Sequence, residues 1–207
     1  MNDLFAAPET GLPDYRHEAR YSGPVCGVDE AGRGPCAGPL SVAAVILDPA
    51  DIPDGLNDSK ALSEAARFRL EPEIKARAKA WAVVMLSPEE IDALNILEAT
   101  MVGMARAVAA LEVTPVAALI DGNRAPKLAM PAWPLVKGDS RSLSIAAASI
   151  LAKTARDRVM IEADVTWPQY GFAKHKGYQA KAHLDALARH GPCPLHRRSW
   201  KTVQAVL

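Results

Sequence analysis

Three apolar runs in this 207-residue chain end in acid. Val25-Cys26-Gly27-Val28 runs into Asp29-Glu30, Val116 to Ile120 into Asp121-Gly122, and Pro134-Leu135-Val136 into Lys137-Gly138-Asp139. An apolar run bounded by Gly and Pro reads as a buried strand. In an open α/β sheet, sites gather at strand ends, so neighbouring strands of this kind would bring Asp29, Glu30, Asp121 and Asp139 together. Four carboxylates in one place do not all stay ionised without cations. Hard oxygen ligands, with no paired His or Cys beside them, suit Mg²⁺ or Mn²⁺ rather than zinc. Two such ions about 4 Å apart form the arrangement that cleaves phosphodiesters, one activating water and the other stabilising the leaving oxygen. Each acid taken alone is more often a solvated turn residue; the repeated strand-then-acid pattern brings metal binding level with that reading and leaves both open.

The first acid pair is followed at once by Gly32-Arg33-Gly34-Pro35. This is not a nucleotide phosphate loop, because the Gly-Lys-Ser/Thr ending is missing. Its glycines let the backbone come close to a ligand, for which the sugar edge of a nucleic acid is one candidate. A plain tight turn fits the spacing as well.

The elements that must position these residues follow from periodicity and punctuation. Strands are expected near Val25–Val28, over Leu40–Leu47, Trp81–Leu86 and Val116–Ile120, and in short form at Pro134–Val136. A helix from Ser63-Glu64 to about Lys79 carries Pro72 in its middle, where an interruption is expected. Ser87-Pro88-Glu89-Glu90 is a capping box with Pro at the first helical position, and the helix it starts is read as continuous to Glu112. A long helix from Ser142 to about Asp164 has small residues over its first half, which permits close packing on a sheet. A further helix is read at 179–190, before a Pro- and Arg-rich tail. Strands first, then strands alternating with helices, imply a mixed sheet with helices on its faces.

One domain fits the length. Residues 1–22 read as a loose lead-in and 23–207 as the folded domain. Equal numbers of basic and acidic residues, 24 each, leave no global field to draw the chain to nucleic acid or membrane. The charges are nevertheless unevenly placed. From Gly171 onward there are seven Lys/Arg and one acid, leaving 17 and 23 before it, so the final segment is at +6 and the rest at −6. A basic end of this kind meets polyanions or is a solvated helix face. Three scattered cysteines do not make a disulfide framework. No basic-then-apolar leader pattern opens the chain, and no apolar run is long enough for a membrane helix. A cytoplasmic protein is expected. The neutral charge is compatible with a monomer. His190-Gly-Pro-Cys193-Pro-Leu-His196 offers three soft ligands in Pro-rich spacing and is not read as a zinc site.

These residues resemble bacterial ribonuclease HII. The resemblance rests on Asp29-Glu30-Ala31-Gly32-Arg33-Gly34-Pro35 with Gly38-Pro39, on Leu56-Asn57-Asp58-Ser59-Lys60, and on Ile120-Asp121-Gly122-Asn123. It continues through Lys137-Gly138-Asp139, Ser142 to Lys153, Tyr170-Gly171-Phe172, His175-Lys176-Gly177-Tyr178, His183-Leu184 and His196-Arg197-Arg198-Ser199. These short motifs occur in order over residues 22–200 and together are specific. The resemblance implies an α/β, RNase H-like fold: a five-stranded mixed sheet flanked by helices, with a C-terminal helical extension over about residues 170–207. It implies an endonuclease that hydrolyses the RNA strand of RNA/DNA hybrids and cleaves 5′ of single ribonucleotides in duplex DNA, leaving 3′-hydroxyl and 5′-phosphate ends. By the same resemblance Asp29, Glu30, Asp121 and Asp139 hold two divalent ions, Mg²⁺ or Mn²⁺. Gly32, Arg33 and Gly34 read the ribose 2′-hydroxyl. Tyr178 stacks on the neighbouring sugar, and Lys60, Lys176 and the basic tail hold phosphates. The sister type, ribonuclease HIII, would need a larger N-terminal domain than the lead-in provides, and no clamp-docking motif is visible after Ser199-Trp200-Lys201.

Overall fold

The computed structural model describes residues 11–207. Five strands, β1 (Val25–Ala31), β2 (Leu40–Ile46), β3 (Ala80–Leu86), β4 (Ala117–Asp121) and β5 (Ala132–Leu135), form one sheet in the order β3-β2-β1-β4-β5. β1 runs antiparallel to β2 and parallel to β4; β3 is antiparallel to β2 and β5 parallel to β4. The expected mixed sheet is therefore present, with the acid-bearing strands β1 and β4 side by side. Trp133 and Pro134 sit in β5, where an edge position tolerates the missing amide hydrogen.

Alternation along β1 and β2 sends apolar side chains to both faces. Cys26, Val28, Leu40, Val42, Ala44 and Ile46 pack on one side with α2 (Pro88–Leu94) and α3 (Ile96–Ala109). On the other side Ala43 and Val45 meet α1 (Glu64–Arg77) and α4 (Leu143–Thr166), while Val25, Ala117 and Leu119 meet Ile145 of α4. The long α4 starts where Ser142 Oγ accepts the Ile145 amide at 3.2 Å. Its stretch Ala146-Ala147-Ala148 is buried against the sheet, as the small residues there permit.

Three local readings change. The helix expected from Pro88 to Glu112 is two helices. Asn95, at φ 65°, breaks it and caps α3, its Oδ1 accepting the Leu97 and Glu98 amides at 3.0 and 3.1 Å. Periodicity could not reveal this, because the apolar stripe continues across the break. Pro72 does not interrupt α1, whose buried Leu70, Glu71 and Ile74 hold it on the core across the missing hydrogen bond. The described part of the lead-in is tied down rather than loose. Asp14 brackets the start of α4 through Asp14 N to Arg141 O at 3.3 Å and Leu143 N to Asp14 O at 3.1 Å. Buried Glu18 accepts from Ser142 Oγ at 2.5 Å and Ser144 N at 2.9 Å. The part of the lead-in over 1–10 lies outside the described residues.

The C-terminal extension contains α5 (Phe172–His175), α6 (Lys181–His190) and α7 (Lys201–Gln204). Its core is aromatic. Tyr170 stacks on Phe172 at 5.2 Å and His175 on His183 at 4.4 Å, and the His183 and His196 Nε2 atoms lie 3.1 Å apart. No helix among the described residues is long and apolar enough to cross a membrane.

Candidate active site

Asp29 and Asp121 each follow the paired residues Val28 and Ile120 of adjacent parallel strands. Alternation puts both on the α4 side of the sheet, because Val25, Ala117 and Leu119 already face that side. The third acid comes from a 3-10 turn, Gly138–Ser140, that leads from β5 into α4. Two amides of that turn secure Asp121: Gly138 N donates to Oδ1 at 2.7 Å and Asp139 N at 3.4 Å. One carboxylate oxygen from each of Asp29, Asp121 and Asp139 lies within 4.8 Å of the others.

Glu30 is not part of that triad. Strand neighbours point to opposite faces, and its Oε1 meets Arg33 Nη1 at 3.4 Å. Its amide donates to Asp29 Oδ1 at 2.7 Å, which helps aim the aspartate. Three of the four sequence-predicted acids are thus brought together directly, with Glu30 beside them.

Packing this much negative charge out of water raises every one of these groups. Asp29 is held well above the ordinary carboxylate range by burial, then by Glu30 and Asp121. Burial raises Glu30 and Asp121 as well. Asp139 is pushed up to about 6 by burial, with Asp121 and Asp58 adding to it. Lys60 Nζ stands 3.7 Å from Asp139 Oδ2. Burial lowers Lys60, but Asp139, Asp58, Asp29 and Asp121 outweigh that and its pKa is raised. An all-oxygen donor set that is unfavourable without a cation fits a hard divalent ion.

Asp29 and Glu30 open into a cavity of about 220 Å³ that they share with the Gly32–Gly34 turn, Lys60, Lys153, Arg156 and Tyr178. Gly32 has φ +99°, and a Cβ added there would sit 2.1 Å from Arg156 Nε, so only glycine fits. Gly34 lies against Tyr178, whose ring Cε1 would meet an added Cβ at 3.7 Å. Tyr178 is half exposed at the cavity mouth. Lys176 is placed differently from Lys60: only 9% exposed, its ammonium donates to Ala173 O at 2.6 Å and approaches Glu64 at 3.4 Å.

Sequence reasoning missed three participants. Lys153 and Arg156 are three residues apart on α4 and face the cavity together, a helical spacing legible in principle. Asp157 beside them stays with Lys153 at 2.6 Å and Arg67 at 3.7 Å, an ion pair of the kind its neighbourhood suggests. Arg197 is an exception to the reading of the basic tail as phosphate-holding, whose other cations Lys174, Lys181, Arg189, Arg198 and Lys201 are exposed. It is fully buried, and its guanidinium bonds backbone carbonyls of the 32–39 segment. Nothing in its spacing distinguishes it from the exposed Arg198 beside it.

Comparison with known proteins agrees with this geometry. The family model described as Ribonuclease HII matches residues 26–203. A ribonuclease HII of Caulobacter vibrioides is 62% identical over 184 residues, covering 89% of this chain and 87% of that protein. One of Vibrio campbellii is 56% identical over 196 residues, covering 95% and 92%. Among solved structures, the ribonuclease H2 of Pyrococcus horikoshii superposes with a TM-score of 0.75 at 26% identity, covering 88% of this chain and 96% of that one. With the sheet order, the strand-end aspartates and the matched residues in agreement, this chain belongs to the ribonuclease HII family and is a ribonuclease H with an RNase H-like fold.

Proposed function

We propose that the chain is an endonuclease that hydrolyses the RNA strand of RNA/DNA hybrids and cuts on the 5′ side of single ribonucleotides in duplex DNA, leaving 3′-hydroxyl and 5′-phosphate ends. The observation that carries this reading is the triad Asp29, Asp121 and Asp139, whose member Asp29 shares one cavity with a glycine turn, Gly32–Gly34. Asp29, Asp121 and Asp139, with Glu30 swung from Arg33, would hold two divalent ions, Mg²⁺ or Mn²⁺. Bound there, such ions supply Lewis-acid polarisation and water of lowered pKa.

The protein's own residues do the rest. The Gly138 and Asp139 amides keep Asp121 aimed and less free to protonate. Lys60 neutralises part of the acid charge and lies where a phosphate would approach Asp139. Gly32, Arg33 and Gly34 present backbone to the ribose, and a 2′-hydroxyl, both donor and acceptor, is what distinguishes that sugar from deoxyribose. Tyr178 offers an exposed ring to the neighbouring sugar across Gly34. Lys176 would reach phosphate once Glu64 releases it.

The test uses a labelled duplex with one ribonucleotide, incubated with Mg²⁺ or Mn²⁺, and the Asp121→Asn variant alongside. A single cut 5′ of the ribonucleotide is expected. Asp121→Asn should lose at least about 100-fold in rate, since even outer partners of metal ligands cost 10–100-fold. Absence of any cut with either ion would refute the activity. Undiminished cutting by the variant would refute the role of Asp121.

A further inference from the structure

Two arginines are buried in this protein without a carboxylate partner among the described residues. Arg156 on α4 and Arg197 in the C-terminal tail are 1% and 0% exposed. A guanidinium taken out of water without an anion is costly unless its donors are all engaged. Here backbone carbonyl oxygens engage them, all from the 32–39 loop except Lys176 O, which accepts from Arg156 Nη1 at 2.9 Å. Arg197 Nη2 donates to Gly32 O at 2.5 Å and Pro39 O at 3.3 Å, Nη1 to Arg33 O at 3.1 Å, and Nε to Gly38 O at 3.0 Å. Arg156 takes Pro39 O at 2.9 Å and Ala37 O at 3.0 Å from the adjoining side.

The consequence for the glycine turn follows from peptide geometry. All peptides in the described chain are trans, so the N–H of each unit points opposite to its C=O. Arg197 draws the Gly32 and Arg33 carbonyls inward. The amides of Arg33 and Gly34, in the same peptide units, therefore point away from Arg197. Neither amide has a protein acceptor among the described residues. They are free donors on the residues that line the cavity.

We propose that Arg197 is a positioning residue for ribose selection: from the C-terminal tail, its planar fork sets the Gly32-Arg33-Gly34 backbone so that the turn's amides face the substrate. The proposal rests on the reading of that turn as the ribose reader. Arg197 itself, being fully buried, touches neither metal nor substrate. Lysine cannot replace it, because a single ammonium does not span Gly32, Arg33 and Gly38 carbonyls at once. The tail that carries Arg197 is in turn held to α2. Asp92 accepts from Arg198 N at 2.7 Å and from Ser199 N at 3.0 Å.

The experiment measures binding without cleavage. In EDTA, fluorescence anisotropy compares a duplex holding one ribonucleotide with the all-DNA duplex of the same sequence, for the wild type, Arg197→Lys and Asp92→Ala. Arg197→Lys is expected to lose about tenfold of the preference for the ribonucleotide duplex, the scale of a charge-assisted hydrogen bond. Its affinity for the all-DNA duplex and for Mn²⁺, by calorimetry, should remain as in the wild type. A lesion that merely loosened the fold would weaken both duplexes and the metal together. An unchanged ratio in folded Arg197→Lys would overturn the proposal. Should Arg197→Lys not fold, Asp92→Ala decides, because it loosens the tail from the exposed side: a preference reduced about threefold supports the proposal and an unreduced one overturns it. A wild type that does not discriminate between the duplexes would overturn the reading of the turn itself, and the proposal with it.

Discussion

A Cβ built on Gly27 would fall 2.1 Å from the carbonyl carbon of Ser144 and 2.2 Å from the Ile145 amide nitrogen. The start of α4 therefore lies directly on the central strand, backbone against backbone. Asp29 is two residues further along the same face of β1, and Asp139 is in the turn that leads into α4. The spacing between strand and helix is thus the spacing within the acid triad.

Gly27→Ala should damage stability and metal binding together. The atoms met are backbone and cannot swing aside, so the cost is at the upper end of overpacking, about 3 kcal/mol. For a chain of this size that is a fall of roughly 6–12 °C in Tm, readable by thermal unfolding, with weakened Mn²⁺ binding by calorimetry in the same sample. An unchanged Tm would contradict the close approach.

The acid triad is a store of repulsion in the absence of cations. Asp139→Asn removes one charge from a group held at about 6 by burial, Asp121 and Asp58. At pH above that value the metal-free variant should be more stable than the metal-free wild type, by a few degrees in Tm. Added Mn²⁺ should reverse the order, because stabilisation by a ligand follows its affinity for the folded state. Scanning both proteins with EDTA and with Mn²⁺ reads this out.

The two outer residues of the glycine turn should respond differently to alanine. Gly32 has φ +99° and Arg156 Nε in the way, so Gly32→Ala must disturb the buried arginine. Gly34 has ordinary van der Waals room beside Tyr178. Gly32→Ala should be poorly folded or inactive, while Gly34→Ala should keep the wild-type melting curve and change only substrate affinity. Equal melting curves for both variants would count against the described turn.

Tyr178→Ala should weaken cleavage of a single-ribonucleotide duplex by about 5–150-fold, the range of one stacking contact of about 1–3 kcal/mol. Mn²⁺ affinity, measured by calorimetry, should not change. A matching loss of metal affinity would place the ring in the acid cluster rather than at the sugar.

His183 and His196 share a short Nε2–Nε2 contact, in which only one nitrogen can carry the proton. Burial holds both below the usual imidazole value, and His196 is lowered to about 4 by burial, then by His183. A depressed folded-state pKa means that the unfolded chain binds more protons between about 6.5 and 4. The pair's contribution is full above the unfolded value and is lost as the pH falls through that window. Urea unfolding at neutral and acidic pH should show the wild type losing more stability on acidification than His196→Gln. The carboxylates, common to both proteins, cancel in that comparison.

Much of the site was legible before any coordinate. Strand-then-acid, repeated at Asp29, Asp121 and Asp139, predicts convergence, because a buried strand that ends in a carboxylate must find a cation or water. The order of the helices and strands follows from periodicity and caps such as Ser87 with Glu90, whose reciprocal bonds are formed at 3.2 and 3.0 Å. The break at Asn95 was not legible, since one residue in the left-handed region leaves the apolar stripe intact. The anchoring of Glu18 on Ser142 and Ser144 was not legible either, being a contact 124 residues distant in sequence.

What the chain determines by itself is which residues have the chemistry: hard oxygen ligands, a glycine turn, a basic end. Tertiary structure decides which of them can use it. Lys60 and Lys176 are the same residue type, yet one ammonium stands beside Asp139 and the other is bound to Ala173 and Glu64. Arg197 and Arg198 are adjacent, yet one is buried under the glycine turn and the other is exposed. Local sequence sets charge, size and backbone preference. Burial and partner depend on segments distant along the chain, so the role of each cation appears only when strand, helix and tail have packed together.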